Sequence, residues 1–377
     1  MHESEARVST LELFFDLVFV FAITQVTGIV SHEPTAAALG RGVLVFAVLW
    51  WAWGAYAWLT NTVPTGATAA RLVVLGASAA ALVTALAVPA AWDDSGTAFA
   101  LGYLVVMVLH LALFALAGEN PEATRRAIAR LAPTNLGAGV LLLVAAHADG
   151  TAQAALWVLA VATTYAGPYV TGVAGFTVHP SHFVERHGLI VIIALGESVV
   201  AIGALGDDVT VDAALAGTAL VVMALVAGLW WHYFTRDADA GERALLATDG
   251  AERARLARDV YSYLHVPLVL GIVLAAVGIH EVLVHSSEPL DPVFAGAFCG
   301  GVALYFGGLA GIRARRGDRP GAACVAAGAV ALAMIPLAPD VDAIVVASVL
   351  AAVTVGVALA GSRPGARTDA PAGGATP

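Results

Sequence analysis

The sequence has no lysine and very little charge of either sign. All 18 basic residues are arginine, and charged residues make up 12% of the 377 positions, whereas 59% of the residues are hydrophobic and the mean hydropathy is +0.84. A soluble globular domain carries about 25% charged and about 45–50% apolar residues. So little charge cannot cover the surface of a water-soluble protein of this length, which excludes soluble enzymes, nucleic-acid-binding proteins and disordered proteins. The composition predicts a polytopic membrane protein.

Cysteine is nearly absent as well. Cys299 and Cys324 each lie inside an apolar run, so they form neither a disulfide framework nor a CxxC metal motif. There is also no GxSxG nucleophile elbow, Walker loop or dinucleotide-binding glycine motif in a suitable context. We therefore expect no cofactor and no metal site. The pattern favours a protein that is not an enzyme, without deciding the question.

The apolar runs set the predicted architecture. A membrane-spanning helix needs about 20 mostly apolar residues. Runs of this kind predict twelve spans, at residues 10–31, 41–60, 71–92, 97–118, 134–148, 151–175, 187–206, 211–235, 260–285, 292–312, 319–338 and 341–361. The fifth run is short, and only Asp149 and Gly150 separate it from the sixth, so it stays open whether both cross fully. The predicted fold class is an all-α transmembrane helix bundle of about 12 spans.

The arginines are distributed unevenly along this map. If the N-terminus is cytoplasmic, the cytoplasmic segments hold seventeen arginines and the outer loops hold one, Arg41. The positive-inside rule then predicts a multi-pass protein of the bacterial plasma membrane with both termini in the cytoplasm. Acidic residues in the outer turns account for the net charge of −10, which implies no nucleic acid or other basic partner. The expected partners are the lipid bilayer and an unidentified small solute or ion, and the oligomeric state is not determined.

The two halves of the chain share features in the same order. Glu12 and Glu185 open the first and seventh spans at an offset of 173, and the tryptophan pairs 50–51 and 230–231 follow in the next spans at an offset of 180. This order favours a parallel repeat of six plus six spans, a form common in transporters, whose substrate site lies between the halves. The predicted organisation is a cytoplasmic leader (1–9), a first half (10–175), a second half (176–361) with a cytoplasmic loop at 236–259, and a disordered tail (362–377). The polar stretch of this loop is predicted to be a helix on or near the membrane surface.

A carboxyl group lies deep in the seventh predicted span. Glu197 is about ten residues into that span, hence about 15 Å from its start and near the membrane midplane. A charge there costs at least about 2.5–3.5 kcal/mol, so it requires a reason. Glu197, with Ser198 beside it, is a candidate site for a proton, cation or substrate; the alternative is a protonated side chain bonded to a neighbouring helix.

Other ionisable groups lie at membrane depth. Asp16 is about one helical turn after Glu12, so the two carboxylates share a helix face and are further candidates for binding a proton or substrate. A structural bond of Asp16 to other helices, and pairing of Glu12 with an arginine, are the alternatives. His110, in the middle of the fourth span, is the remaining candidate for a proton site.

The segment HPSHFVERHG precedes the seventh span. Its side chains His179, His182, Glu185 and His187 resemble a metal-ligand cluster, but the spacing is neither HExxH nor HxxEH, so an interfacial network is favoured over a metal. Glu185 with Arg186 is predicted to form a cytoplasmic gate or anchor, because arginine pairs with carboxylates in a bidentate manner.

Two further histidines extend this predicted cytoplasmic network. His232 follows the tryptophan pair of the eighth span, and His265 lies beside Pro267 at the start of the ninth. Tryptophans at such a position are typical of the aromatic belt. A proton relay and a polar cap are both compatible with His232.

Four segments carry a family resemblance. ELFFDLVFVFAITQ, VERHGLIVIIALGES, LWWHYF and YSYLHVPL resemble the bacterial low temperature requirement protein A (LtrA) family, from about Thr10 to beyond Pro267. The resemblance implies a multi-span membrane protein connected with growth in the cold. It supports Asp16, Glu185, Arg186 and Glu197 as signature positions without assigning their roles.

These observations predict a secondary carrier, with proton coupling as an open option. Glu197 would be the coupling acid, and Asp16 or Glu12 would contribute from the matching helix of the other half. The alternative is a membrane enzyme or a lipid-interacting stress protein that acts at the cytoplasmic face through HPSHFVERHG and the arginine-rich inner segments. A scaffold that needs only to be inserted is the third option.

Overall fold

The computed structural model describes residues 8–63, 66–117, 121–173, 175–203 and 211–361. Within these ranges the chain is helical apart from turns, and no named strand occurs. The helices are α1 (Thr10–His32), α2 (Ala36–Thr62), α3 (Thr68–Ala87), α4 (Gly96–Ala117), α5 (Pro121–Ala145), α6 (Gly150–Thr171), α7 (Pro180–Gly203), α8 (Ala213–His232), α9 (Ala238–Leu246), α10 (Gly250–Ala257), α11 (His265–Val284), α12 (Pro292–Arg315), α13 (Ala322–Met334) and α14 (Ala343–Gly361). The predicted all-α class is confirmed.

Ten helical segments of the described chain are long and apolar enough to cross a membrane. Large apolar side chains such as Leu17, Leu72 and Val170 stand exposed on the outside of the bundle, as expected for a surface in contact with lipid. Two predicted spans fall outside this set of ten. α7 carries Glu185, Arg186 and Glu197 within its 24 residues, and α13 has only 13 residues.

The boundaries of several elements differ from the sequence-based expectation. α5 begins at Pro121 rather than near 134, so Pro133 lies inside the helix. The polar stretch for which one helix was predicted forms two short helices, α9 and α10, on either side of the turn at Thr248 and Asp249. α8 continues into α9 through a π-helical turn (Tyr233–Asp237), and α10 continues into α11 through another (Arg258–Leu264). Such π turns are rare and frequently accompany functional sites.

Helix contacts in the second half follow the order of those in the first. α1 packs against α2 and α3, and α7 packs against α8 and α11. The pairs α3–α4, α4–α5, α5–α6 and α2–α6 correspond in the same way to α11–α12, α12–α13, α13–α14 and α8–α14. This correspondence is what a six-plus-six duplication requires, although the duplication itself stays a prediction. α1 also contacts α7, so the first helices of the two halves meet.

The most extensive helix–helix contact in the described chain is the crossing of α11 and α12. Here a Cβ atom on Gly271 would lie 2.5 Å from the carbonyl oxygen of Gly301, and one on Gly301 would lie 2.5 Å from the carbonyl oxygen of Gly271. Only glycine permits so close an approach of two helix backbones. The crossing fixes α11 at the centre of the molecule, beside α7 and α1.

Candidate functional site

The candidate site lies where α1 and α7 meet, on the side of the bundle at which both helices begin, here termed the amino-terminal side. α1 starts at a capping box: the Ser9 hydroxyl faces the Glu12 backbone nitrogen, and the Ser9 backbone nitrogen donates to Glu12 Oε2 at 2.8 Å. The cap holds the Glu12 side chain back against the helix start. Asp16 follows one turn later on the same face.

Asp16 forms a buried ion pair with Arg186 of α7. Arg186 Nη2 is 3.1 Å from Asp16 Oδ1, and Nη1 donates to Oδ2 at 3.2 Å. Trp53 Nε1 donates to Asp16 Oδ1 at 2.9 Å, and the Arg186 guanidinium also lies over the Trp53 ring. Arg186 is 0% exposed and Asp16 is 1% exposed. A pair removed from water in this way is retained only with good geometry and additional hydrogen bonds, which Trp53 supplies.

Glu12 is contacted closely by a histidine and more distantly by Arg186, the arginine of the other ion pair. His182 Nε2 lies 3.0 Å from Glu12 Oε1, whereas Arg186 Nε is 3.9 Å from the same oxygen. Asn61 Nδ2 lies 3.2 Å from His182 Nδ1. Because an amide nitrogen only donates, His182 Nδ1 is the acceptor and Nε2 carries the hydrogen that is donated to Glu12. Asn61 thus selects the tautomer of His182.

Asn61 is itself oriented by the segment before α7. The His179 backbone nitrogen donates to Asn61 Oδ1 at 2.8 Å, and Asn61 Nδ2 donates to the His179 carbonyl oxygen at 3.0 Å. The end of α2 is therefore joined to the start of α7. In this network one guanidinium faces two carboxyl groups. The interacting side chains of the network are buried: Glu12, Asp16, Trp53, Asn61, His182 and Arg186.

Glu197 lies elsewhere on the same helix pair. The Thr24 hydroxyl contacts Glu197 Oε2 at 2.8 Å, and the Thr27 hydroxyl contacts Oε1 at 2.9 Å. Glu197 is 7% exposed and has no ion pair within the described residues. Because α7 begins at Pro180, seven residues before the predicted span, Glu197 is about 25 Å along the helix. The carboxyl group is therefore deeper from the amino-terminal side than the sequence predicted.

The remaining residues of HPSHFVERHG do not form one network, and each has different partners. Glu185 accepts a hydrogen bond from the backbone nitrogen of Val8 and does not pair with Arg186, which turns to Asp16 instead. His187 Nδ1 contacts the Phe183 carbonyl oxygen at 2.8 Å, and its ring packs edge-on against Trp53. Within the described residues no group of three or more His, Cys, Asp or Glu side chains is arranged to hold a metal.

His265 and His232 lie in the second half. The Tyr233 hydroxyl is 3.0 Å from His265 Nε2, while His265 Nδ1 is 2.8 Å from the Val260 carbonyl oxygen, so this histidine joins the two π-helical turns. The rings of His187 and His265 are 5.5 Å apart. His232 is separate: its Nε2 lies 3.1 Å from the Thr354 carbonyl oxygen on α14.

His110 lines a largely apolar cavity of about 70 Å³ whose walls come from both halves of the chain, with Arg258 and Ser262 on the side of the second half. Its ring lies between Tyr56 and Phe114. The cavity is lined by three tryptophans and by polar side chains: Trp50, Trp51, Trp58, Asn135 and Ser262.

Ser198, which follows the candidate Glu197 in the sequence, is buried. Its hydroxyl has no hydrogen-bond partner in the described chain.

Sequence reasoning missed several members of these networks. Trp53 and Asn61 each hold a predicted residue in place, and Thr27 holds Glu197 together with Thr24. The only sequence feature that pointed to any of them was Asn61, an asparagine near the end of the mainly apolar α2. The buried pair of Asp237 and Arg313, with Nη2 to Oδ2 at 2.6 Å, was likewise unforeseen, because the two residues are 76 positions apart in the sequence.

Comparison with known proteins identifies the family of the chain. Residues 7–359 match the family model of the bacterial low temperature requirement A protein (LtrA). The chain belongs to the LtrA family. It is also 29% identical over 319 residues, 81% of this chain and 76% of the relative, to an uncharacterized protein of Rhizobium meliloti (strain 1021). No solved structure matches the chain significantly. The predicted LtrA resemblance is confirmed, and the chain is a multi-span membrane protein of a bacterial family.

Proposed function

We propose that this LtrA protein is a proton-coupled secondary carrier in which Glu197 exchanges the coupled proton. The observation that carries the proposal is the environment of Glu197. Its two oxygens are met by the hydroxyls of Thr24 and Thr27, with no cationic partner in the described chain. Each of these hydroxyls can accept as well as donate a hydrogen bond, whereas Arg186 and Trp53, which contact Asp16, can only donate.

The two threonines can satisfy Glu197 with or without its proton. The Thr24 hydroxyl is also 3.2 Å from the Val20 carbonyl oxygen, and the Thr27 hydroxyl is 2.9 Å from the Thr24 carbonyl oxygen. When Glu197 is ionised, both hydroxyls donate to it. When Glu197 is protonated, it donates to one hydroxyl, which then donates to its own helix carbonyl. The site can therefore change its protonation state without a change of fold.

In this proposal the Asp16–Arg186 ion pair holds α1 and α7 together when access to Glu197 is closed. It joins the first helix of one half to the first helix of the other on the amino-terminal side, while Glu197 lies farther along the same two helices. Movement of the halves against each other would open or close access to Glu197 by separating α1 from α7. Alternating access of this kind, around a site between related halves, is common in secondary transporters.

The orientation and the division of the chain are part of the proposal. The arginine distribution supports a cytoplasmic amino-terminal side, and the matching helix contacts support halves at 10–175 and 176–361. The leader (1–9) would then be cytoplasmic. The proposed tail (362–377) lies outside the described residues.

The test is proton movement driven by a solute. Purified protein would be reconstituted into proteoliposomes that contain a pH-sensitive dye and exposed in turn to amino acids, organic cations, organic anions and sugars. We expect one class to change the internal pH, and Glu197→Gln to abolish that change. Glu281→Gln is the matched control, because Glu281 is a carboxyl group of α11 that pairs with His285, the residue directly after that helix. Solute-driven proton movement by the Glu197→Gln variant at the wild-type rate would contradict the proposal.

One observation favours the alternative, a protein that acts on lipid at the amino-terminal face: five arginines line an open cleft. The segment HPSHFVERHG does not support this alternative, because its side chains His182, Arg186 and His187 are buried.

A further inference from the structure

A second-half cleft opens on the amino-terminal side. It has a volume of about 640 Å³ and lies between the carboxyl ends of α8, α12 and α14 and the start of α13, with α9 along one wall. Packing of α9 on α7, and of the Tyr261 ring on Phe183, places it on the side where α7 begins. We call it the arginine cleft, after its five basic residues Arg236, Arg243, Arg313, Arg316 and Arg319.

Only two of these arginines are neutralised. Arg313 and Arg316 share Asp237, with Nη2–oxygen distances of 2.6 and 2.8 Å. Arg236, Arg243 and Arg319 form no ion pair with any described residue, and each is exposed. The remaining acids of the lining are Asp239 and Asp318, so the five arginines face three aspartates. The cleft therefore carries an excess of positive charge that no part of the described chain neutralises.

Two tryptophans relate the cleft to the bilayer. Trp230 and Trp231, at the end of α8, are 42% and 40% exposed. Half-exposed tryptophans at a helix end mark the level of the lipid headgroups. Arg236 follows within two helical turns, so the cleft begins at the depth of the lipid phosphates. Its other wall includes Val357 and Ala360, apolar residues of the membrane-spanning α14.

We propose that the arginine cleft binds the phosphodiester headgroup of an anionic phospholipid. Arginine forks match phosphate oxygens in a bidentate manner, and basic pockets between helices at a membrane surface bind anionic headgroups. Free phosphate offers the same oxygens, but it makes no use of the apolar wall on α14, along which an acyl chain can lie. The site uses neither Glu197 nor the Asp16–Arg186 pair, so it goes beyond the proposed carrier activity and is independent of it.

The test is lipid retention measured by native mass spectrometry. Full-length protein in a neutral detergent would be titrated with phosphatidylglycerol and with phosphatidylcholine of the same acyl chains. We expect phosphatidylglycerol to bind more tightly, and Arg243→Gln and Arg319→Gln each to weaken its binding about fivefold. Neither arginine contacts Asp237, so both variants keep the buried ion pairs of the cleft. Arg126→Gln, an exposed arginine on α5 of the same side, is the matched control.

The outcomes separate a lipid from a free anion. Inorganic phosphate added at millimolar concentration should leave phosphatidylglycerol bound. Displacement of the lipid by phosphate at a concentration equal to its own would overturn the assignment in favour of a free anion. Equal retention of the two lipids, or unchanged retention by the Arg243→Gln/Arg319→Gln double variant, would overturn the site itself. Carrier activity plays no part in this measurement, so its loss or presence leaves the result intact.

Discussion

Asp16 and Arg186 are 170 positions apart in the sequence, yet they form an ion pair in which Arg186 is fully buried. The pair joins α1 to α7 and, through Trp53, also to α2. Three helices from the two proposed halves therefore depend on one charge interaction. Its removal should affect stability as well as any movement between the halves.

Arg186→Met should lower the free energy of unfolding by about 3–5 kcal/mol, because it leaves Asp16 buried and without its cation. The Asp16→Leu/Arg186→Met double variant should recover most of this loss, since neither charge then remains. Unfolding in detergent, followed by tryptophan fluorescence, measures both. A double variant as unstable as Arg186→Met alone would show that the cost arises from packing instead of charge.

Asn61 should control the tautomer of His182. In the wild-type protein we expect His182 to carry its hydrogen on Nε2, because Nδ1 accepts from Asn61 Nδ2. Asn61→Leu removes that donor and should give a mixture of tautomers. The nitrogen chemical shifts of selectively labelled histidine report the change, with a His182→Gln sample used for assignment. A hydrogen on Nδ1 in the wild-type protein would contradict this arrangement.

The α11–α12 crossing should tolerate no added atom at Gly301. Gly301→Ala places a Cβ 2.5 Å from the carbonyl oxygen of Gly271, and we expect a loss of about 1–3 kcal/mol from overpacking. Gly300→Ala is the matched control, because its nearest neighbour would be a methyl group of Ile335 at 4.0 Å. Thermal unfolding of the two variants compares adjacent positions of one helix. Equal stability of the pair would count against so close a crossing.

Glu197→Gln should remain folded while it removes the exchangeable proton. A glutamine amide can donate to one threonine and accept from the other, so the free energy of unfolding should stay within about 1 kcal/mol of the wild-type value. Chemical unfolding in detergent tests this beside the proteoliposome measurement. A much larger loss would assign Glu197 a structural role as an ion, contrary to the proposed proton exchange.

The amino-terminal side should face the cytoplasm. In a background with Cys299→Ala and Cys324→Ser, a membrane-impermeant maleimide should label Asp149→Cys in intact cells, because Asp149 lies exposed between α5 and α6 on the opposite side. Arg126→Cys should be labelled only after lysis. The reverse pattern would invert the proposed topology.

Local properties of the sequence were sufficient for the membrane class, the helices and the family. Hydropathy over about 20 residues decides which segments leave water, and it does so without reference to any other segment. The same reasoning placed Asp16 and Glu197 at membrane depth, and both are buried; it assigned Arg186 to a cytoplasmic gate or anchor with Glu185, but Arg186 is buried as well. It did not identify the partners of Asp237, which lies in a π-helical turn and is paired with Arg313 and Arg316, 76 and 79 positions later.

The partners of the buried charges were decided only by the tertiary structure. Arg186 has Glu185 beside it in the sequence, but successive residues of a helix point in different directions, so Arg186 meets Asp16 and Glu185 meets the start of α1. The grouping of five arginines around one cleft has the same origin. Sequence hydropathy determines that a helix lies in the membrane, whereas its packing angle and rotation, set by contacts such as Gly271 with Gly301, determine which side chains it brings together.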